Sequence, residues 1–335
     1  MKGFILAGGF GTRLWPLTED RTKAAIPFLG RPLINYAVEY LASHGVRDII
    51  VNLHHKPDSI RLALGDGSEL GANISYSFEE QILGTSGALD RVRDSLLDDD
   101  FVVVNGKIVT DIDLGKAIAD HRKQNAMATL VLRENTAREH FSIVEVDDRG
   151  WITSFAGFPD AEASQAATAD AAAELRSVTA KPEPAPLMFT GIQVLSSRIF
   201  DYIPRDRFSH STIHVYPQAI EAGEPVIAHV SAADWYEMST LARYLEASLR
   251  FARKKGQSVI EGEGCAIENG ASVEDAVLWD DVKVESGARI NRAVLGEGVQ
   301  IRTGRLIEQA VVVRRDIVRE IERGEILDDN VVVPI

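Results

Sequence analysis

Residues 3–23 read GFILAGGFGTRLWPLTEDRTK, an apolar run from Gly3 to Ala7 that opens directly into a loop with glycines at 8, 9 and 11. That pattern predicts a strand ending in a loop whose backbone N–H groups lie open to an anion, because glycine has no Cβ to hold a ligand off and reaches positive φ without strain. Arg13 and Lys23 add mobile positive charge of the kind a polyphosphate needs. Glycines alone would also fit a tight turn between a strand and a helix. Thr12, Arg13, Pro16, Thr18 and Lys23 in this order make phosphate holding the better reading. No Gly-Lys-Ser/Thr closes the run, so it is not the phosphate loop of kinases and ATPases.

Working outward, Leu33 to His44 carries apolar residues at helical spacing and stops before Gly45, and Asp48 to Asn52 reads as a buried strand, which completes a βαβ unit. Pro57–Leu64 and Gly87–Leu97 read as helices, Ile74–Phe78 and Phe101–Val104 as strands. Alternation of this kind predicts an α/β fold, a Rossmann-like and mostly parallel mixed sheet covered on both faces, with ligands at the carboxyl ends of its strands. Helix Leu114–Gln124 leads into a strand at Ala128–Arg133, and Ser142–Val146 pairs with Trp151–Phe155 across an Asp-Asp-Arg-Gly turn. Residues 159–186 hold almost no large apolar side chain and are expected as an exposed insertion, with a short helix near Thr168–Arg176. Phe189–Leu195 and Val226–Val230 resume strand character, with helices at Thr212–Ala222 and Ser239–Lys255.

A repeat follows. ENGASVEDAVLWDDVKV (268–284) and ESGARINRAVLGEGVQI (285–301) share glycine, alanine, valine and leucine at an offset of 17, with a degenerate third copy through Gly304, Ile307 and Ala310. Apolar residues at this period predict coils of a parallel β-helix stacked on one another. So short a prism needs support, and is expected to dock on the first domain or on another subunit. The boundaries read as 1–243 for the α/β domain, 244–258 for a linking helix, 259–313 for the β-helix and 314–335 for a C-terminal tail.

The 335 residues include 36 Lys and Arg against 50 Asp and Glu, a net charge of −14, which argues against a nucleic-acid partner. A single triphosphate needs only a local basic patch. No apolar stretch is long enough to cross a bilayer, and the N-terminal apolar run is too short for a secretory signal, so a cytoplasmic protein is expected. The one cysteine, Cys265, leaves no disulfide framework and reads as a small buried hydrophobe. His54, His55, His210 and His214 show no ligand spacing and read as surface or loop histidines.

Gly9, Gly11, Arg13, Pro16 and Thr18 with Lys23 resemble the opening signature of the sugar-1-phosphate nucleotidyltransferases, and Leu83 to Leu89 (LGTSGAL) resembles that family's base-binding loop. The 17-residue repeat is similar to the left-handed β-helix of hexapeptide-repeat proteins. The resemblance implies transfer of a nucleotidyl group from a nucleoside triphosphate to a sugar 1-phosphate. It places the β and γ phosphates on the Gly8–Thr12 backbone and Arg13, the α phosphate near Lys23, the base against Leu6, Ala7, Gly84 and Thr85, and the sugar near Asn105, Thr190 and Glu237. It also implies Mg²⁺, with Glu237 as a ligand. Here the chain departs from the pattern: Lys107 stands where a metal-binding carboxylate is expected, Gly157-Phe158-Pro159 where a sugar-phosphate Glu-Lys-Pro would fall, and Ser142 where glycine is common. An ammonium offers hydrogens where Mg²⁺ needs oxygens. Two readings follow: an active transferase in which Lys107 supplies part of the metal's charge and Lys181 or Arg205 meets the sugar phosphate, or a nucleotide-sugar-binding regulator of an active homologue. Association through the β-helix, with itself or with such a homologue, fits both. Trp15 points to guanylyl and Asp20-Arg21-Thr22-Lys23 to adenylyl relatives, so a purine triphosphate, GTP first, and a hexose 1-phosphate are expected. Acyl transfer on the β-helix is disfavoured, because residues 258–335 contain no histidine to serve as its base.

Overall fold

A computed structural model describes residues 1–138, 141, 143–155 and 185–335. The expected insertion, Lys181, Ser142 and the Gly157–Pro159 stretch lie outside the described residues, apart from positions 185 and 186. Among the described residues the central sheet has nine strands. β1 (Lys2–Leu6), β2 (Asp48–Leu53), β3 (Asn73–Phe78) and β4 (Phe101–Asn105) run parallel, with β1 between β2 and β4 and with β3 outside β2. β5 (Ala128–Glu134), the hairpin β6 (Ile143–Val146) and β7 (Ile152–Phe155), β8 (Leu187–Leu195) and β9 (Val226–Val230) complete it. β8 joins β4, β5 and β6 antiparallel, and β9 joins β5 parallel.

Alternation along β1 explains the two covered faces. Ile5 points into a core shared with α1 (Leu33–Ser43), α2 (Pro57–Leu64) and α4 (Leu114–Lys123), while Phe4 points into another shared with α3 (Gly84–Asp90) and α5 (Tyr216–Glu221). Both side chains are fully buried, and each such burial contributes about 1.5–3 kcal/mol.

Two helices differ from expectation. The helix expected at Gly87–Leu97 starts at Gly84 and ends at Asp90, because Ser209 carbonyl accepts the amides of Ser86 and Gly87, a distant partner that fixes its first turn. The helix expected at Thr212–Ala222 begins as a π turn over Ser211–Val215 before α5. Pro217 has no N–H to give to Ile213, and its ring crowds that carbonyl, which widens the turn.

Helix α6 (Leu241–Lys254), capped by the Thr240 hydroxyl, leads to the β-helix. The strands β10 (Val259–Glu261), β11 (Ser272–Leu278), β12 (Arg289–Leu295) and β13 (Leu306–Arg314) stack in parallel, with Val259 opposite Ala276, Ala276 opposite Ala293, and Ala293 opposite Ala310. Each step is the 17-residue offset read from the sequence. The segment expected as a tail instead folds back: β14 (Asn330–Pro334) pairs antiparallel with β13 and covers the last coil. The β-helix docks on the α/β domain, as expected, through an apolar cluster that joins Leu14, Trp15 and Phe28 to α6, Trp279 and Val311. Cys265 is half-buried rather than buried, and its thiol donates to the Trp279 carbonyl at 3.1 Å. Among the described residues no helix is long and apolar enough to cross a membrane.

Candidate functional site

The carboxyl ends of β1, β2 and β4 open onto a cavity of about 250 Å³. Its walls bring together Leu6, Ala7, Gly8, Gly9, Lys23, Gly84, Thr85, Asn105 and Lys107, residues drawn from three separate stretches of the sequence reading. Asn52, Glu79, Ile82 and His210 also line it, and sequence reasoning missed all of these.

The loop after β1 is built around Asn52. Its Oδ1 accepts the amides of Ala7 at 2.7 Å and Gly8 at 3.2 Å, while its Nδ2 donates to Glu79 at 2.7 Å. Glu79, only 1% exposed, spends its other oxygen on the Leu83 amide at 3.0 Å. The Gly8 amide, expected to hold phosphate, is therefore already taken. The amides of residues 9–13 have no acceptor among the described residues and remain open to an anion. Gly11 sits at φ +72°, where a Cβ would come within 2.9 Å of the Lys23 Cβ, so glycine is what lets the loop close onto Lys23. Thr12 and Arg13 lie in a short 3-10 turn beside the cavity rather than in its wall.

The opposite wall is the start of α3. Thr85 donates its amide to His210 Nδ1 at 3.4 Å, and its hydroxyl accepts the Ser211 amide at 2.8 Å. His210, read from sequence as a bystander, is thereby placed in the cavity wall. His54 Nδ1 donates to the Glu79 carbonyl at 2.9 Å, and its ring meets Phe10 edge-on.

Positive charge gathers at the third side. Lys23 is largely desolvated, and burial first, then the nearby charges of Lys107 and Arg13, pull its pKa down to about 8 against the pull of Glu237. The short strand Ile108–Thr110 pairs antiparallel with Trp235–Glu237, which sets Lys107 beside Glu237. The Lys107 ammonium donates to Glu237 Oε1, and Arg243 donates to Oε2 at 3.1 Å. Burial raises the Glu237 pKa, but Lys107 together with Ser239 and Lys23 outweighs it and holds the carboxyl below its usual range.

These residues do not fit a resident Mg²⁺. Both oxygens of Glu237 face cations, Lys107 offers an ammonium, and among the described residues no group of three or more His, Cys, Asp or Glu gathers. Glu237, expected as a metal ligand, instead turns both carboxylate oxygens to Lys107 and Arg243. Thr190 is not in the cavity either: it is 1% exposed and its hydroxyl donates to the Val131 carbonyl at 2.7 Å. Arg205 lies near Asp90, at 3.7 Å, and does not line the cavity.

The Nucleotidyl transferase family matches residues 2–254, and the GlmU-like C-terminal hexapeptide family, a left-handed β-helix, matches residues 250–333. Similar proteins include the UTP–glucose-1-phosphate uridylyltransferase of a Synechocystis species, 27% identical over 299 residues, 85% of this chain and 72% of that one. The mannose-1-phosphate guanylyltransferase of Mycobacterium tuberculosis is 27% identical over 308 residues, 84% of this chain and 80% of that one. A Bacillus anthracis crystal structure, of a protein assigned as a glucose-1-phosphate thymidylyltransferase, shares the fold with a TM-score of 0.62 at 24% identity, covering 76% of this chain and 95% of that one. With a glycine loop open at the end of β1 and a family match spanning the whole α/β domain, this chain belongs to the nucleotidyl transferase family.

Proposed function

We propose that the chain joins a nucleoside triphosphate to a sugar 1-phosphate, releasing pyrophosphate. A phosphate oxygen of the sugar 1-phosphate attacks the α phosphorus in line; a new P–O bond forms as the bond from the α phosphorus to the bridging oxygen of the β phosphate breaks, and that oxygen leaves with pyrophosphate. The step needs no covalent partner from the protein, only alignment and neutralisation of phosphate charge. The single observation that carries this reading is the cavity at the ends of the parallel strands, with Gly9 in its wall leading into the open amides of residues 10–13 beside it, and with Lys23 and Lys107 lining another side.

In this reading the amides and Arg13 meet the β and γ phosphates, and Lys23 the α phosphate. Lys107 exchanges Glu237 for phosphate oxygen, and Arg243 keeps the Glu237 charge compensated meanwhile. The base lies against Leu6, Ala7, Gly84 and Thr85, and the sugar extends toward Asn105. Mg²⁺ supplies charge neutralisation to triphosphates in general; here its oxygen ligands would come from the nucleotide and not from a protein carboxylate pair. A purine, GTP first, and a hexose 1-phosphate are the preferred pair. The low cysteine count supports a cytoplasmic setting, and the β-helix supports self-association. Pyrophosphate release from a matrix of five triphosphates and several sugar 1-phosphates tests the proposal: turnover with one pair is expected, and none with any pair refutes it.

A further inference from the structure

The segment that presents Lys23 is gripped from behind by the β-helix. Leu14, Trp15, Leu17, Ile26 and Phe28 pack with Trp279, Val294, Val311 and Val333 in one cluster. Polar contacts then fix the segment in register. The Arg21 guanidinium forks onto Asp20 at 2.9 and 2.8 Å, reaches Glu297 of the β-helix at 2.7 Å, and lies 5.2 Å above the Trp279 ring. Nearby, the Trp15 carbonyl accepts from Arg323 at 2.8 Å, and the Glu19 carboxylate accepts the Arg319 amide at 3.3 Å.

None of these groups lines the nucleotide cavity. Arg21 nevertheless stands two positions before Lys23, and the intervening Thr22 is fully buried with its amide on Ser59 at 3.1 Å. A displacement at Arg21 therefore has little room to relax before it reaches the Lys23 backbone. Glu297 is 52% exposed, and an exposed pair of this kind contributes little to stability. Its geometric consequence is larger, because misplacing a reacting group by about 1 Å can cost on the order of a hundredfold.

Resting on the function proposed above, we infer that Arg21 is a positioning residue: through its bridge to Glu297 the β-helix sets where Lys23 meets the triphosphate. The β-helix is then part of the donor site's frame. Glu297→Lys turns the bridge into a repulsion, Glu297→Ala removes the partner without adding charge, and Glu297→Gln keeps an acceptor for the Arg21 N–H groups.

The test uses the full chain. ATP, GTP, CTP, UTP and dTTP are screened by thermal shift, and the nucleotide that stabilises the wild type most is carried forward for Kd by calorimetry and for kinetics. Glu297→Lys is expected to raise Kd and KM for the triphosphate about tenfold, Glu297→Ala about threefold, and Glu297→Gln to stay within about twofold of wild type. The KM for sugar 1-phosphate and the Tm of the free protein should hardly move. Unchanged triphosphate Kd in Glu297→Lys and Glu297→Ala overturns the inference while leaving the transferase reading intact. So does a loss that affects both substrates equally and follows Tm. A wild type that no triphosphate stabilises overturns the donor-site reading first, and this inference with it.

Discussion

Lys107 and Glu237 close an ion pair in which Lys107 still lines the nucleotide cavity while the Glu237 side chain is only 4% exposed and is backed by Arg243. A buried carboxylate is tolerated there because two cations face it. Lys107→Asp sets a second carboxylate against the first. In EDTA the variant is expected to lose about 2 kcal/mol of stability, a few degrees in Tm, because like charges in close contact cannot both ionise cheaply. Millimolar MgCl₂ should restore most of that loss and leave the Tm of the wild type unmoved. Thermal scans of both proteins with and without the metal check this, and a wild type stabilised by Mg²⁺ without nucleotide would contradict it.

Asn52 ties two amides of the β1 loop to Glu79, so its removal leaves buried donors and acceptors without partners on both sides. Asn52→Leu is expected to destabilise the chain by about 2–4 kcal/mol, since each orphaned buried group costs on the order of 1–3 kcal/mol. It should also weaken triphosphate binding. Chemical denaturation gives the first number and nucleotide titration the second; a variant that binds normally would show that the loop shapes itself without Asn52.

Sequence made the β-helix legible because its signal is local: each alanine of the 276, 293 and 310 column recurs one coil later and stacks on its predecessor. The glycine loop was legible for a similar reason, as one continuous stretch that begins on β1. What stayed hidden was built from distant partners. Asn52 finds the Ala7 amide 45 residues away, and Thr85 finds His210 across 125. A hint did exist in Asn52, a polar residue near the end of an otherwise apolar strand at the sheet's ligand-binding edge. β14 shares no repeat with the coils it covers, so its Val331–Val333 run gave no reason to expect an antiparallel return.

Gly84 occupies φ +78°, and a Cβ there would stand 2.4 Å from the Ser209 carbonyl oxygen, which is backbone and cannot step aside cheaply. Gly84→Ala must therefore push the 209–211 segment off the start of α3 and take His210 with it. A loss of about 1–3 kcal/mol is expected from the strained backbone alone. Nucleotide affinity should fall by more than stability accounts for, because the cavity wall moves. Comparing Kd with Tm across Gly84→Ala and the milder Gly87→Ala separates the two effects.

Lys23 sets the pH response. Its pKa in the folded chain is about 8, against an ordinary value of 10.5, so burial opposes the charged form. Between about pH 8 and 10.5 the unfolded chain holds a proton there that the folded chain has released. The Lys23 contribution to stability therefore rises with pH across that window, while below pH 8 the folded chain carries the full cost of a desolvated ammonium. Binding runs the other way. A triphosphate favours the protonated form, so above pH 8 each binding event must take up a proton, and affinity should fall by up to about tenfold per pH unit. Lys23→Arg, whose guanidinium stays charged throughout, should abolish that dependence even if its reach differs. Calorimetric titrations at pH 7, 8 and 9 in buffers of different ionisation enthalpy count the protons directly. An affinity independent of pH in the wild type, or the same slope in Lys23→Arg, would remove Lys23 from contact with phosphate.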